Sequence, residues 1–125
     1  MITPDSSPYR ILVCDDEPHI VQILKFTLER EGYQVFTAEN GKVALDKARE
    51  VQPHLVLLDV MMPVMDGYEV CRKMREDFKM NQIPIIMLSA KGDDRARVVG
   101  LEGGANDYLV KPYSNDELLL RVKNV

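Results

Sequence analysis

Four short apolar runs in this 125-residue sequence each end on a side chain that can do chemistry: Cys14 is followed by Asp15-Asp16, Leu58 by Asp59, Leu88 by Ser89 and Val110 by Lys111. If these ends meet, they bring together three carboxylates, one hydroxyl and one ammonium. Two carboxylates about 4 Å apart at an effective dielectric near 20 repel by roughly 4 kcal/mol, so three of them call for a cation. With oxygen donors alone and no His or Cys at the other strand ends to join them, the ion that fits is Mg²⁺, which takes one or two carboxylates, keeps several waters and accepts a phosphate oxygen. A carboxylate can also take up a phosphoryl group as an acyl phosphate. Asp59 would then be the nucleophile, with the Lys111 ammonium and the Ser89 hydroxyl set against the phosphoryl oxygens.

Such a meeting needs elements that deliver all four ends to one rim. The run Leu55-Val56-Leu57-Leu58 is apolar at every position, which marks a strand covered on both faces and hence a parallel sheet between helices. In that architecture the crevice lies beyond the carboxyl ends of the strands. The same grammar repeats along the chain. Strands are expected at Tyr9–Cys14, Tyr33–Ala38, Leu55–Leu58, Ile83–Ala90 and Asp107–Val110. Helices follow each: one from Asp16 or Pro18 to Gly32, one with Val43, Ala44, Ala48 and Val51 ending at Pro53, one carrying Tyr68, Cys71, Met74, Arg75 and Phe78 on one side, a weak one over Asp93–Glu102 containing Gly100, and a last one from Ser114 or Asn115. The expected fold is α/β, a doubly wound five-stranded parallel sheet with five helices.

Size and composition bound the rest. One domain fits 125 residues, with residues 1–8 a loose leader and 9–125 the folded unit. The last helix ends at Val125 without a stop signal, which suggests a piece of a longer polypeptide. A net charge of -4 with no basic cluster argues against a nucleic-acid surface. No apolar run is long enough to span a membrane, and Cys14 and Cys71 sit in apolar segments without CxxC spacing, so the expectation is a cytoplasmic protein with reduced, buried thiols.

Taken singly, each residue has a plainer role. Asp59 could be a turn residue, Asp15 and Asp16 helix caps, Lys111 a surface lysine, Ser89 a loop hydroxyl, Tyr108 a half-buried strand aromatic, and His19 and His54 surface or cap residues. The methionines read as gap-fillers in the core, Met61-Met62 excepted. Only the shared placement at strand ends lifts Asp15, Asp16, Asp59, Ser89 and Lys111 above these readings.

In this order the motifs resemble the receiver domain of bacterial two-component response regulators: Asp15-Asp16-Glu17-Pro18, Asp59 with Met62-Pro63 and Met65-Asp66-Gly67, Ser89-Ala90, and Asp107-Tyr108 through Lys111-Pro112. The likeness covers nearly the whole chain and implies a flavodoxin-like sheet of order 2-1-3-4-5. It implies a phosphoprotein of phosphorelay signal transduction, with Asp59 the phosphoacceptor charged by a sensor histidine kinase or a small phosphodonor. It implies Mg²⁺ held by Asp16 directly, by Asp15 largely through water, by Asp59, and by the backbone carbonyl of Met61. Lys111 would pair with the phosphoryl group, and the Lys111-Pro112 bond would be cis. Ser89 and Tyr108 would form the switch pair that remodels the face made by the fourth helix, the fifth strand and the last helix, where an output domain, a downstream partner or a second copy in a homodimer would dock. The resemblance implies self-catalysed phosphorylation and dephosphorylation without turnover of an external substrate. Met61 and Lys91 occupy the places that influence phosphoryl lifetime. Ser89 stands where Thr is commoner, and Val64 where Gly is frequent.

Two other classes use similar parts. A haloacid-dehalogenase-type phosphatase also has a nucleophilic Asp, Mg²⁺ and a Lys, but wants a second Asp two residues on, where this chain has Met61. A flavodoxin-like cofactor module wants an anion-friendly loop after its first strand, where this chain has Asp15-Asp16-Glu17.

Overall fold

The computed structural model describes residues 9–89 and 104–125. Five strands, β1 (Arg10–Cys14), β2 (Gln34–Ala38), β3 (Leu55–Asp59), β4 (Ile85–Ser89) and β5 (Asp107–Val110), form one parallel sheet in the order β2-β1-β3-β4-β5. Among the described residues there are four helices: α1 (Pro18–Arg30), α2 (Gly41–Val51), α3 (Gly67–Glu76) and α4 (Asn115–Asn124). The weak helix expected over 93–102, the leader, Ala90 and Lys91 lie outside the described residues.

The unbroken apolar runs have the anticipated cause. Successive strand residues point to opposite faces, and both faces are covered. Leu12, Cys14, Val56 and Leu58 pack with Ala44, Leu45 and Ala48 of α2 and Val70, Cys71 and Met74 of α3. Ile11, Val13, Leu55 and Leu57 pack on the other face with Leu24 and Leu28 of α1 and Leu118 and Val122 of α4. Both cysteines are buried and outside any disulfide. No helix among the described residues is long and apolar enough to cross a membrane.

Local chemistry sets most helix limits. Proline opens α1, and Gly32 adopts φ 94° just past its end. Asn40 caps α2, its Oδ1 accepting the Val43 N–H at 2.9 Å, and Ser114 caps α4, its Oγ accepting the Glu117 N–H at 3.0 Å. Two expectations need correcting. Asp16 does not cap α1: the N-cap is Glu17, with no side-chain bond of its own, and its N–H goes to Asp15 Oδ1 at 3.0 Å. Phe78 is not on the buried side of α3, because the helix stops at Glu76 and leaves Phe78 92% exposed.

The rim opposite the strand ends is tied by polar contacts that distant segments supply. Arg75 of α3 donates to the carbonyls of Ile83 (2.8 Å) and Gly104 (2.9 Å) and to Asn106 Oδ1 (2.9 Å). His54 is exposed, stacks on Tyr9 and accepts the Arg10 N–H at Nδ1.

Candidate functional site

The parallel register delivers the strand ends to one rim. Cys14 pairs with Leu58, so Asp15 follows β1 beside Asp59, and Asp59 pairs with Leu88, so Ser89 stands one residue beyond. Lys111 follows β5, its N–H bonded to the Ser89 carbonyl at 2.8 Å. One carboxylate oxygen from each of Asp15, Asp16 and Asp59 lies within 4.8 Å of the others. Asp15 and Asp59 are buried, and Asp16 is exposed at the mouth.

The Lys111 ammonium reaches both buried acids, at 3.3 Å from Asp59 Oδ2 and 3.5 Å from Asp15 Oδ2. The other Asp59 oxygen, Oδ1, accepts the Met61 N–H at 3.2 Å. Burial first, and then the Asp15 charge, push the Asp59 carboxyl up to about 6, against the pull of Lys111 and the Met61 N–H. Burial works against the charged form of Lys111, yet Asp59 and Asp15 outweigh it and hold its pKa above the ordinary lysine value. One ammonium thus faces three carboxylates and leaves the cluster negative. The donor set is oxygen-only, closely spaced and under-neutralised, and can bind a metal ion.

Ser89 and Tyr108 are both buried, and the Ser89 hydroxyl donates to the Tyr108 hydroxyl. The Lys111-Pro112 bond is cis. The Met61 side chain is 71% exposed at the rim, whereas Met62, expected to stand apart with it, is buried in the core with the gap-filling methionines. Asp15, Asp16, Asp59 and Lys111, expected to act together, do meet, and Ser89 and Met61 border them.

Two contributors escaped the sequence reading. Tyr113, packed against the core beside α1 and α4, has its phenol pushed up to about 12 by burial and then by the Asp15 and Asp59 charges. The clue was its position two residues past Lys111. Gly67, noted only as part of a motif, has no room for a side chain: an added Cβ would meet the Asp59 carbonyl oxygen and come within 2.9 Å of Val60 Cα.

Comparison with known proteins agrees with this geometry. A model of the response regulator receiver domain matches residues 11–123. The alkaline phosphatase synthesis transcriptional regulatory protein PhoP of Bacillus subtilis (strain 168) is 49% identical over 116 residues, covering 93% of this chain and 48% of PhoP, so the chain spans about half the length of that curated relative. Chemotaxis protein CheY4 of Vibrio cholerae is 34% identical with a TM-score of 0.89, covering 95% of this chain and 99% of that one. The receiver domain of sensor histidine kinase PA1611 from Pseudomonas aeruginosa PAO1, whose structure has a magnesium ion coordinated in the active-site cleft, is 30% identical with a TM-score of 0.87, covering 94% of this chain and 97% of that one. A family match over nearly the whole chain, close structural relatives and an acidic cluster at the expected rim lead to one conclusion: the chain belongs to the response regulator receiver domain family.

Proposed function

We propose that Asp59 is the phosphoacceptor of a Mg²⁺-dependent signalling switch charged by a sensor histidine kinase. The observation that carries this reading is the meeting of Asp15, Asp16 and Asp59 within 4.8 Å, with Lys111 Nζ at 3.3 Å from Asp59. A carboxylate oxygen of Asp59 attacks the phosphorus of phosphohistidine. The P–O bond forms as the P–N bond breaks, and the released imidazole takes up a proton. Lys111, already bonded to Asp59 Oδ2, offers fixed positive charge to the incoming oxygens, and Ser89 offers a hydroxyl. The Met61 N–H steadies the spectator oxygen Oδ1.

Asp15, Asp16, Asp59 and the Met61 carbonyl are the residues that would hold Mg²⁺, which when bound supplies charge neutralisation to the transferring group. Removal of the phosphoryl group is attack of water on the same phosphorus, returning the Asp59 carboxylate. No external substrate is turned over. The exposed Met61 side chain is placed to hinder that water. The Ser89–Tyr108 hydrogen bond links the site to β5, so a phosphoryl group competing for the Ser89 hydroxyl would bias the face that β5 shares with its flanking helices. On this reading an effector domain, a downstream protein or a second copy docks there, residues 9–125 form the receiver unit after a leader at 1–8, and the setting is the bacterial cytoplasm.

The test is incubation with Mg²⁺ and acetyl phosphate followed by intact mass measurement. The wild-type chain is expected to gain one phosphoryl group and Asp59→Asn none; equal gain by both, or none by either, overturns the reading.

A further inference from the structure

Gly41 and Gly67 are excluded from carrying side chains by proximity, since neither has a positive φ. Both press on the segment that follows the candidate phosphoacceptor. At Gly67 a Cβ would strike the Asp59 carbonyl oxygen, with the Asp59 carbonyl carbon at 3.0 Å. At Gly41, the first residue of α2, a Cβ would strike the Met65 carbonyl oxygen, with Met65 Cβ at 2.6 Å and its carbonyl carbon at 2.8 Å. These are backbone or backbone-proximal atoms, which cannot swing aside as the end of a long side chain would. The start of α2 and the loop joining β3 to α3 are therefore in direct backbone contact, and the Asn40 cap fixes that turn of helix.

A second observation points the same way. Val64, next to Met65, is held at φ 72°, a left-handed conformation that a β-branched residue adopts only when its surroundings impose it. Its own side chain is 77% exposed and supplies little of that restraint. The Met65 N–H closes onto the Pro63 carbonyl at 2.8 Å, and the Gly67 N–H bonds the Val60 carbonyl at 2.9 Å, so the loop is pinned on both sides of Val64. Behind Met65 stands Gly41.

From these contacts we infer that Gly41, which follows β2 on the same rim, is a positioning residue for phosphoryl transfer: the first turn of α2 is a backstop that holds the β3–α3 loop, and through it Met61 and Asp59, in the reactive arrangement. The path is short. Met65 braced by Gly41 fixes Asp66 and Gly67, Gly67 abuts the Asp59 carbonyl, and the Met61 N–H at the other end of the loop holds Asp59 Oδ1. This deepens the proposed function and rests on it.

The experiment compares Gly41→Ala with Ala48→Gly, which weakens the same helix at a buried position away from the loop. The first readout needs no phosphoryl chemistry: in amide NMR spectra, Gly41→Ala should shift the Met61 and Gly67 resonances, while Ala48→Gly leaves them in place. The second is the acetyl phosphate reaction at saturating Mg²⁺, where Gly41→Ala should slow phosphorylation by about tenfold to a hundredfold, the cost of a small misplacement of reacting groups, and Ala48→Gly should not. Unmoved Met61 and Gly67 signals, or equal slowing in the two variants, overturns the inference. A wild-type chain that takes up no phosphoryl group sinks the proposed function instead, and the NMR comparison still decides the role of Gly41. Should Gly41→Ala fail to fold, the same shifts are read in Gly41→Ala combined with Val64→Gly, whose loop can yield; a double variant with unshifted Met61 and Gly67 is equally fatal.

Discussion

The Asp59 carboxyl combines burial with a buried acidic neighbour, and that makes the site unstable as it stands. Its folded pKa of about 6 lies above the unfolded value of 3.8, so between those values the folded state keeps a proton that the unfolded chain has lost. This contribution is present at the acidic end and is lost as pH climbs through about 6. Metal-free protein should therefore melt higher near pH 4.5 than near pH 7 as far as this group decides. Asp59→Asn should stabilise the metal-free protein by about 1–2 kcal/mol at neutral pH and flatten that dependence. Thermal melts in chelator, across pH, check both, and an Asp59→Asn variant no more stable than wild type would contradict the electrostatic account. At this scale the sequence showed the acids and the lysine because each ends an apolar run. Tyr113 was hidden because a lone tyrosine beyond a strand does not announce which charges it will face.

Among the elements, the β3–α3 loop carries the plainest sign of strain. A left-handed conformation costs a non-glycine residue on the order of 1–2 kcal/mol, offset in part by the entropy that glycine brings to the unfolded chain. Val64→Gly is accordingly expected to raise stability by about 0.5–1 kcal/mol, read as the midpoint of urea unfolding; a fall would mean that the exposed Val64 side chain is held by contacts that outweigh its backbone. The strands and their parallel pairing were readable because burial on both faces writes an unbroken apolar run. Helix ends were less so. Phe78 continues the apolar spacing of α3 but falls after the Asp77 C-cap, whose N–H still bonds the Met74 carbonyl, and the periodic pattern outlasts the helix itself. The role of Arg75 could not be read at all, since its partners Ile83, Gly104 and Asn106 become neighbours only once β4 and β5 are in register.

For the whole molecule, the three clustered acids would link folding to the binding of any metal ion they hold. Any ion that binds only the folded state adds stability as its concentration rises, by about 2.7 kcal/mol at a hundred times its dissociation constant. The melting temperature should climb with Mg²⁺ at pH 7.5, climb less below pH 6 where Asp59 holds its proton, and climb least in Asp59→Asn. Differential scanning calorimetry against magnesium concentration measures this, and an indifferent melting temperature would remove the metal from the account. The opposite rim, where Arg75 and His54 tie the starts of the strands, has another use. Five-residue strands separate it from the acids by about 16 Å. A dye or surface tether placed there, at exposed Asn81 for example, would leave the acidic end facing solution, so the molecule has a natural handle for immobilised, single-molecule recordings of the switching proposed for it.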